Sequence, residues 1–276
     1  MQRTEFYEKV RDRLIRYAKV DTQSDGSSKT TPTTQKQFDL ARELVSELAR
    51  IGAADVWLDE QHCVVYANLP ANQPGGRAFG LVTHMDTAPD APGANVRPWV
   101  LESYDGGTIV LNAERGIVMS PEDFPNLQNY VGQDLVLTDG TTLLGGDDKA
   151  AIAAVMTFAE HLLTHPEIGH GPIALAFTPD EEVGGLAKDL DLDRFGAKVA
   201  YTLDGDYLGF YERERMGRCR RADRAGGADC HAGETDDQAD AINHRTDGGG
   251  SGIERRTDGT EEGRKECPRK NMEQVV

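Results

Sequence analysis

The last 65 residues, Glu212 to Val276, contain no Leu, Phe, Tyr or Trp, and their only larger aliphatic side chains are Met216, Ile242, Ile253, Met272, Val275 and Val276. So little apolar area cannot offset the roughly 1–2 kcal/mol of backbone entropy that each residue loses on ordering. Any packed core must therefore come from residues 1–211, a length suited to one large domain. Residues 212–276 are expected to be an irregular, disordered tail. The tail carries 13 basic and 15 acidic residues, so most of the acidic excess behind the chain's net charge of -17 lies on the first 211 residues. Cys219, Cys230 and Cys267 also fall in the tail, at spacings that match no paired-thiolate metal knuckle, and read as unpaired thiols.

An acidic excess of this size repels a phosphate backbone, which argues against a nucleic-acid partner. The first twenty residues are charged throughout and contain no apolar block of the kind a secretory signal needs. The richest apolar run, from Ala150 to Ala159, is far short of the roughly 18 residues of a membrane span. These features predict a soluble cytoplasmic protein with no membrane partner.

Within residues 1–211 the apolar pattern alternates between two periods. Phe6, Val10, Leu14 and Ala18 recur about four apart among charges, predicting an amphipathic helix over residues 3–19. Asp21 to Thr34 is polar and turn-forming, hence a loop. Phe38, Leu44, Leu48 and Ile51 mark a second helix that stops at Gly52. Ala54–Leu58, Val64–Asn68 and Phe79–Thr83 read as strands, followed by a long irregular region. A helix over Asp148–Leu163 and strands at Ile173–Thr178 and Val199–Leu203 come next. Continuous apolar strands between helices predict an α/β fold, a mixed sheet flanked by helices on both faces with an irregular C-terminal part. Ligands of such sheets gather beyond the carboxyl ends of the strands.

Acidic and His residues sit at those strand ends. His84 and Asp86 follow Phe79–Thr83, and an i, i+2 pair projects to one side, so that Asp86 can orient the His84 ring. An ordinary surface pair gives the same string. Gly145 and Gly146 precede Asp147 and Asp148 at the start of an Ala-rich helix, where an Asp also serves as a plain N-cap. Asp180, Glu181 and Glu182 follow Ile173–Thr178; three adjacent acids repel one another unless cations are near, or form a solvated turn. Asp204 follows the last apolar run. Together these are imidazole and carboxylate ligands of the kind zinc takes, in numbers suited to a dinuclear hydrolytic site.

The strings Asp21-Thr-Gln-Ser24, Thr31-Pro-Thr-Thr34, His84-Met-Asp-Thr-Ala-Pro-Asp90, Leu143-Leu-Gly-Gly-Asp-Asp-Lys149, Phe177-Thr-Pro-Asp-Glu-Glu-Val-Gly184 and Tyr201-Thr-Leu-Asp-Gly205 closely resemble the peptidase T tripeptide aminopeptidases. These belong to a dizinc metallopeptidase family that also contains carboxypeptidase G and the aminoacylases. The resemblance runs from about residue 3 to about residue 210, and it implies hydrolysis of the N-terminal residue from tripeptides through a zinc-bridging water. It makes His84, Asp147 and Asp204 ligands of one zinc, with Asp147 bridging to a second zinc held by Glu182. The resemblance further implies that Asp86 orients His84, that Glu181 is the general base, and that the Asp147–Asp148 peptide bond is cis.

The resemblance also marks departures. The family continues into a lid or dimerisation domain and returns with a late His for the second zinc, whereas no string after Asp204 resembles that continuation. His231 is the one candidate remnant of the lid's substrate-binding His, and the oligomeric state has no sequence signal. The C-terminus therefore reads as altered or incomplete, with weak activity expected. Related readings are a dizinc deacylase or dipeptidase, or a catalytically dead metal-binding relative.

Overall fold

The computed structural model describes residues 3–185 and 189–204. The predicted tail at 212–276, with Cys219, Cys230, His231, His244 and Cys267, lies outside the described residues.

Two amphipathic helices open the chain, α1 (Arg3–Ala18) and α2 (Gln37–Ile51). Helix α2 ends at Gly52, whose φ of 92° lets its N–H turn back onto the Ala49 and Leu48 carbonyls. Strands β1 (Ala54–Asp59), β2 (Val64–Leu69) and β3 (Phe79–His84) follow, within a residue or two of the runs expected from sequence. Helix α3 (Gly146–Thr164) then leads into β8 (Ile173–Thr178), and the short helix α4 (Leu192–Phe195) into β9 (Ala200–Thr202).

These strands form a five-stranded mixed sheet in the order β1-β2-β8-β3-β9. β1 pairs antiparallel with β2, and β2 with β8, while β3 runs parallel to both β8 and β9. Central β8 is buried along its whole length, which is why its sequence, IALAFT, has no polar alternation. Helices α2 and α3 lie on one face and α1 packs on α3, enclosing a core that includes Leu40, Leu44, Leu48, Ile152, Met156, Leu175 and Phe177. On the other face Phe195, from α4, packs against Val64, Tyr66, Val82, Ala174 and Ala176. Gly80 makes this possible, because a Cβ there would run into the Phe195 ring. The sheet is thus covered on both faces, as expected, although its second cover is a helix of four residues. No helix among the described residues is long and apolar enough to cross a membrane.

The region expected to be irregular between β3 and α3 has its own structure. Strands β4 (Trp99–Leu101) and β7 (Leu135–Leu137) form one ribbon, and β5 (Ile109–Asn112) and β6 (Ile117–Met119) another. They enclose a small separate core of Tyr104, Ile109, Leu111, Met119, Leu127, Leu135 and Leu137. Strands of three or four residues are too short for a period-2 pattern to stand out, so only the pairing reveals them.

Because β3, β8 and β9 are parallel neighbours, their carboxyl ends share one edge of the sheet. That edge receives His84, the Asp180–Glu182 turn and Asp204. The polar loop before α2 also docks there. Gln23 bridges to Thr87, the Ser24 N–H donates to the Thr87 carbonyl at 3.1 Å, and the Gln23 amide donates to the carbonyls of Ala88 and Ala91.

Candidate metal centre

His84 ends β3 and is 2% exposed. Its Nε2 lies 2.9 Å from Asp147 Oδ1, 3.9 Å from Asp204 Oδ2 and 4.0 Å from Glu181 Oε2. Its Nδ1 faces Asp86, 3.2 Å from the carbonyl oxygen and 3.3 Å from Oδ1. Burial alone favours the neutral ring, but hydrogen bonds to Asp147 and then Asp86 outweigh it and hold the imidazole proton up to about 11. The same bond, the largest influence on Asp147, keeps that carboxyl below its usual range.

Asp147 reaches His84 because the chain turns sharply before α3. Gly145 adopts a φ of +73°, and a Cβ on it would lie 2.9 Å from the Thr87 side chain. The Asp147–Asp148 peptide is cis, neither residue has helical angles, and the Asp147 carboxylate is turned to the His84 ring and makes no capping bond. The Asp148 carboxylate instead accepts the His84 N–H at 3.2 Å. Burial, opposed by His84, pushes the Asp148 carboxyl up to about 8.

Asp86 is wholly buried and has a role the sequence did not disclose. Its two oxygens accept the N–H groups of Glu181 at 2.9 Å and Glu182 at 3.1 Å. One side chain therefore orients His84 and also holds the acidic turn after β8. Glu181 points toward His84, and burial lifts its carboxyl above the usual range. Glu182 occupies the same 3-10 turn, Glu181–Val183. The neighbouring Lys149 is buried and donates to the Val20 carbonyl at 2.8 Å; burial lowers its ammonium to about 7.

Among the described residues, one group of potential ligands offers donor atoms that all lie within 4.8 Å of one another: His84, Asp147 and Asp204. One imidazole and two carboxylates within that span suit zinc, whose bonds to such donors are about 2.0–2.2 Å long. Glu182 is not part of that group, and no further His belongs to it. The residues at the strand ends therefore converge, with Glu181 and Asp86 beside them. Asp148, Lys149, Asp180, Thr33 and Gln37 are additions from the structure. Asp148, Lys149, Asp180 and Thr33 stand in strings the sequence singled out, but their partners lie 64 to 147 residues away, so the sequence did not show what each of them holds.

No protein-family model matches the chain. It is 51% identical over 223 residues to peptidase T of Geobacillus kaustophilus, which covers 80% of this chain and 54% of that protein. To peptidase T of Lysinibacillus sphaericus it is 53% identical over 208 residues, covering 75% and 50%. The chain thus spans about half the length of the curated relatives it matches. In fold it is similar to the aminopeptidase PepT from Bacillus cereus, with a TM-score of 0.51 and 24% identity over 72% of this chain and 44% of that one. About half of the chain's positions are identical to these relatives across three quarters or more of its length, so over that stretch it is similar to the peptidase T proteins.

Proposed function

We propose that this chain carries the catalytic part of a zinc-dependent aminopeptidase that removes the N-terminal residue from tripeptides. The observation that supports this reading most is the meeting within 4.8 Å of His84 and Asp204, from the carboxyl ends of parallel strands, with Asp147 from the start of α3. The relatives' name and the tripeptide activity of their family agree with it.

In this reading His84, Asp147 and Asp204 would hold one zinc, and Asp147 and Glu182 would serve a second. Bound zinc supplies a Lewis acid that polarises the scissile carbonyl and acidifies water. Asp86 fixes the imidazole through Nδ1, leaving Nε2 aimed at the cation site. Through its bonds to two backbone amides, Asp86 also keeps Glu181 facing the same point. Glu181 takes a proton from the attacking water and delivers it to the departing amine. His84 Nε2 must give up its own proton when zinc binds, so binding releases acid and weakens as pH falls.

Calorimetric titration of the purified chain with Zn2+ tests the ligand set. His84→Ala and Asp147→Asn are each expected to weaken binding by at least about tenfold, as loss of one zinc ligand should. Unchanged affinity in both variants would remove the metal reading. A substrate panel tests the reaction: release of the first residue from a free-amine tripeptide is expected, with its N-acetyl derivative left intact. Preference for the N-acyl compound would instead indicate a deacylase.

A further inference from the structure

Asp180 precedes Glu181 in the turn after β8 and has left-handed backbone angles, φ 62° and ψ 21°. Few residues other than glycine adopt this region, and Asp and Asn are among those enriched in it. Asp180 is the N-cap residue of the Glu181–Val183 turn, yet its carboxylate makes no capping bond there. The Glu182 amide that such a cap could satisfy is given to Asp86, together with the Glu181 amide.

The Asp180 carboxylate is turned the other way, toward the start of α2. It accepts the Thr33 N–H on both oxygens at 3.0 and 2.9 Å, the Thr33 hydroxyl at 2.5 Å and the Gln37 amide at 2.7 Å. In return, the Asp180 N–H donates to Gln37 Oε1 at 3.3 Å. Asp180 is 2% exposed and Gln37 is fully buried, so water does not substitute for these partners. Attachment of α2 to the sheet does not depend on them, because Phe38, Leu40, Leu44 and Leu48 bury the helix in the main core.

What these bonds do determine is the orientation of the peptide unit that carries Glu181. The turn is gripped on two sides, by Asp86 from the end of β3 and by Thr33 and Gln37 from the start of α2. We propose that Asp180 is a positioning residue for Glu181, coupling the Thr31–Gln37 segment to the placement of the catalytic carboxylate. The proposal rests on the reading of Glu181 as the base. A misplacement of about 1 Å in such a group costs on the order of 100-fold in rate.

Asp180→Asn keeps the side-chain shape and the tolerance for left-handed angles, but sets an NH2 group against donors from Thr33 and Gln37. It is expected to lower kcat on a free-amine tripeptide by about 30–100-fold while KM stays within about threefold. Hydrogen exchange of the Glu181 and Glu182 amides should quicken by about tenfold as the clamp opens. Adding Gln37→Glu to Asp180→Asn gives the introduced side-chain amide an acceptor and should recover at least about tenfold in kcat, together with the lost exchange protection; Gln37→Glu alone places two carboxylates face to face and should be impaired. Thr33→Val, which replaces the hydroxyl with a methyl group and leaves the backbone N–H, should cause a several-fold loss in the same direction and decides the matter if Asp180→Asn fails to fold.

Wild-type kcat and exchange in Asp180→Asn would overturn the proposal, and so would a loss that Gln37→Glu deepens. Absence of tripeptide hydrolysis in the parent chain would count against the proposed function instead, and the exchange measurements would then decide the coupling by themselves.

Discussion

Glu181→Gln is expected to lower tripeptide turnover by about 10²–10⁴-fold, the usual contribution of a positioned proton-transfer group. Zinc affinity should stay within about threefold, because a residue that moves protons and does not bind the metal can be neutralised without disturbing the ligands. Glutamine has nearly the shape of glutamate but cannot accept a proton at neutral pH. The backbone N–H of residue 181 remains bonded to Asp86, so the turn has no reason to move. Rates from chromatographic detection of the released amino acid, set beside a zinc titration of the same sample, check both parts. The geometry gives the alternative outcome a definite meaning: Glu181 Oε2 lies 4.0 Å from His84 Nε2, a separation that two ligands of one cation can also have. Loss of zinc on substitution would therefore make Glu181 the ligand and leave the proton transfer to Glu182.

Glu47→Ala is expected to destabilise the fold by about 3–5 kcal/mol, the range for removing one partner of a buried ion pair. Glu47 is 5% exposed on α2. It accepts from Arg13 Nε at 3.0 Å and the Tyr17 hydroxyl at 2.7 Å on α1, from Arg50 at 3.0 Å, and from Arg16. Arg13 continues to Glu160 at 2.7 Å and Thr157 at 2.8 Å on α3, so a single charged network joins the three helices that cover one face of the sheet. Without Glu47, the buried Arg13 guanidinium keeps only part of its compensation. Urea unfolding should show a lower midpoint with an unchanged slope.

The same network sets a pH signature. Burial alone would raise the Glu47 carboxyl, but the Tyr17 hydrogen bond and the charges of Arg13 and Arg16 prevail and hold it below its usual value of 4.5. A carboxyl depressed in the folded state contributes its full stabilisation above its unfolded pKa and loses it as pH falls through the folded one. The parent chain should therefore lose stability more steeply than Glu47→Ala on acidification below about pH 4.5. Parallel slopes in that range would mean that the carboxylate is not the stabilising partner.

Helices α1, α2 and α3 and strands β1, β2, β3 and β8 were legible because each is long enough to show its pattern, and because β8 is buried on both faces and reads as an apolar run, whereas the three residues of β9 were found within the longer run Val199–Leu203. The site residues at the strand ends were legible for a related reason. Parallel strands bring their carboxyl ends to one edge, so acids that are distant in sequence but each follow an apolar run must meet. His84 and Asp204 satisfy that logic, while Asp147 joins them from the start of α3, through the turn at Gly145.

The tertiary structure alone decided how those residues are held. The short ribbons β4–β7 and β5–β6 have too few residues to carry a pattern, and they exist through pairing and a shared core. Asp86 grips the acidic turn through backbone amides, which every residue possesses and no sequence pattern marks. Asp180 faces Thr33 and Gln37, and Arg13 faces Glu47 and Glu160, across separations of 34 to 147 residues. Local sequence determines period, polarity and the chemistry available at a strand end. The direction a buried polar side chain faces depends on which distant donors the packed core brings within about 3 Å of it, and that is known only once the core has formed.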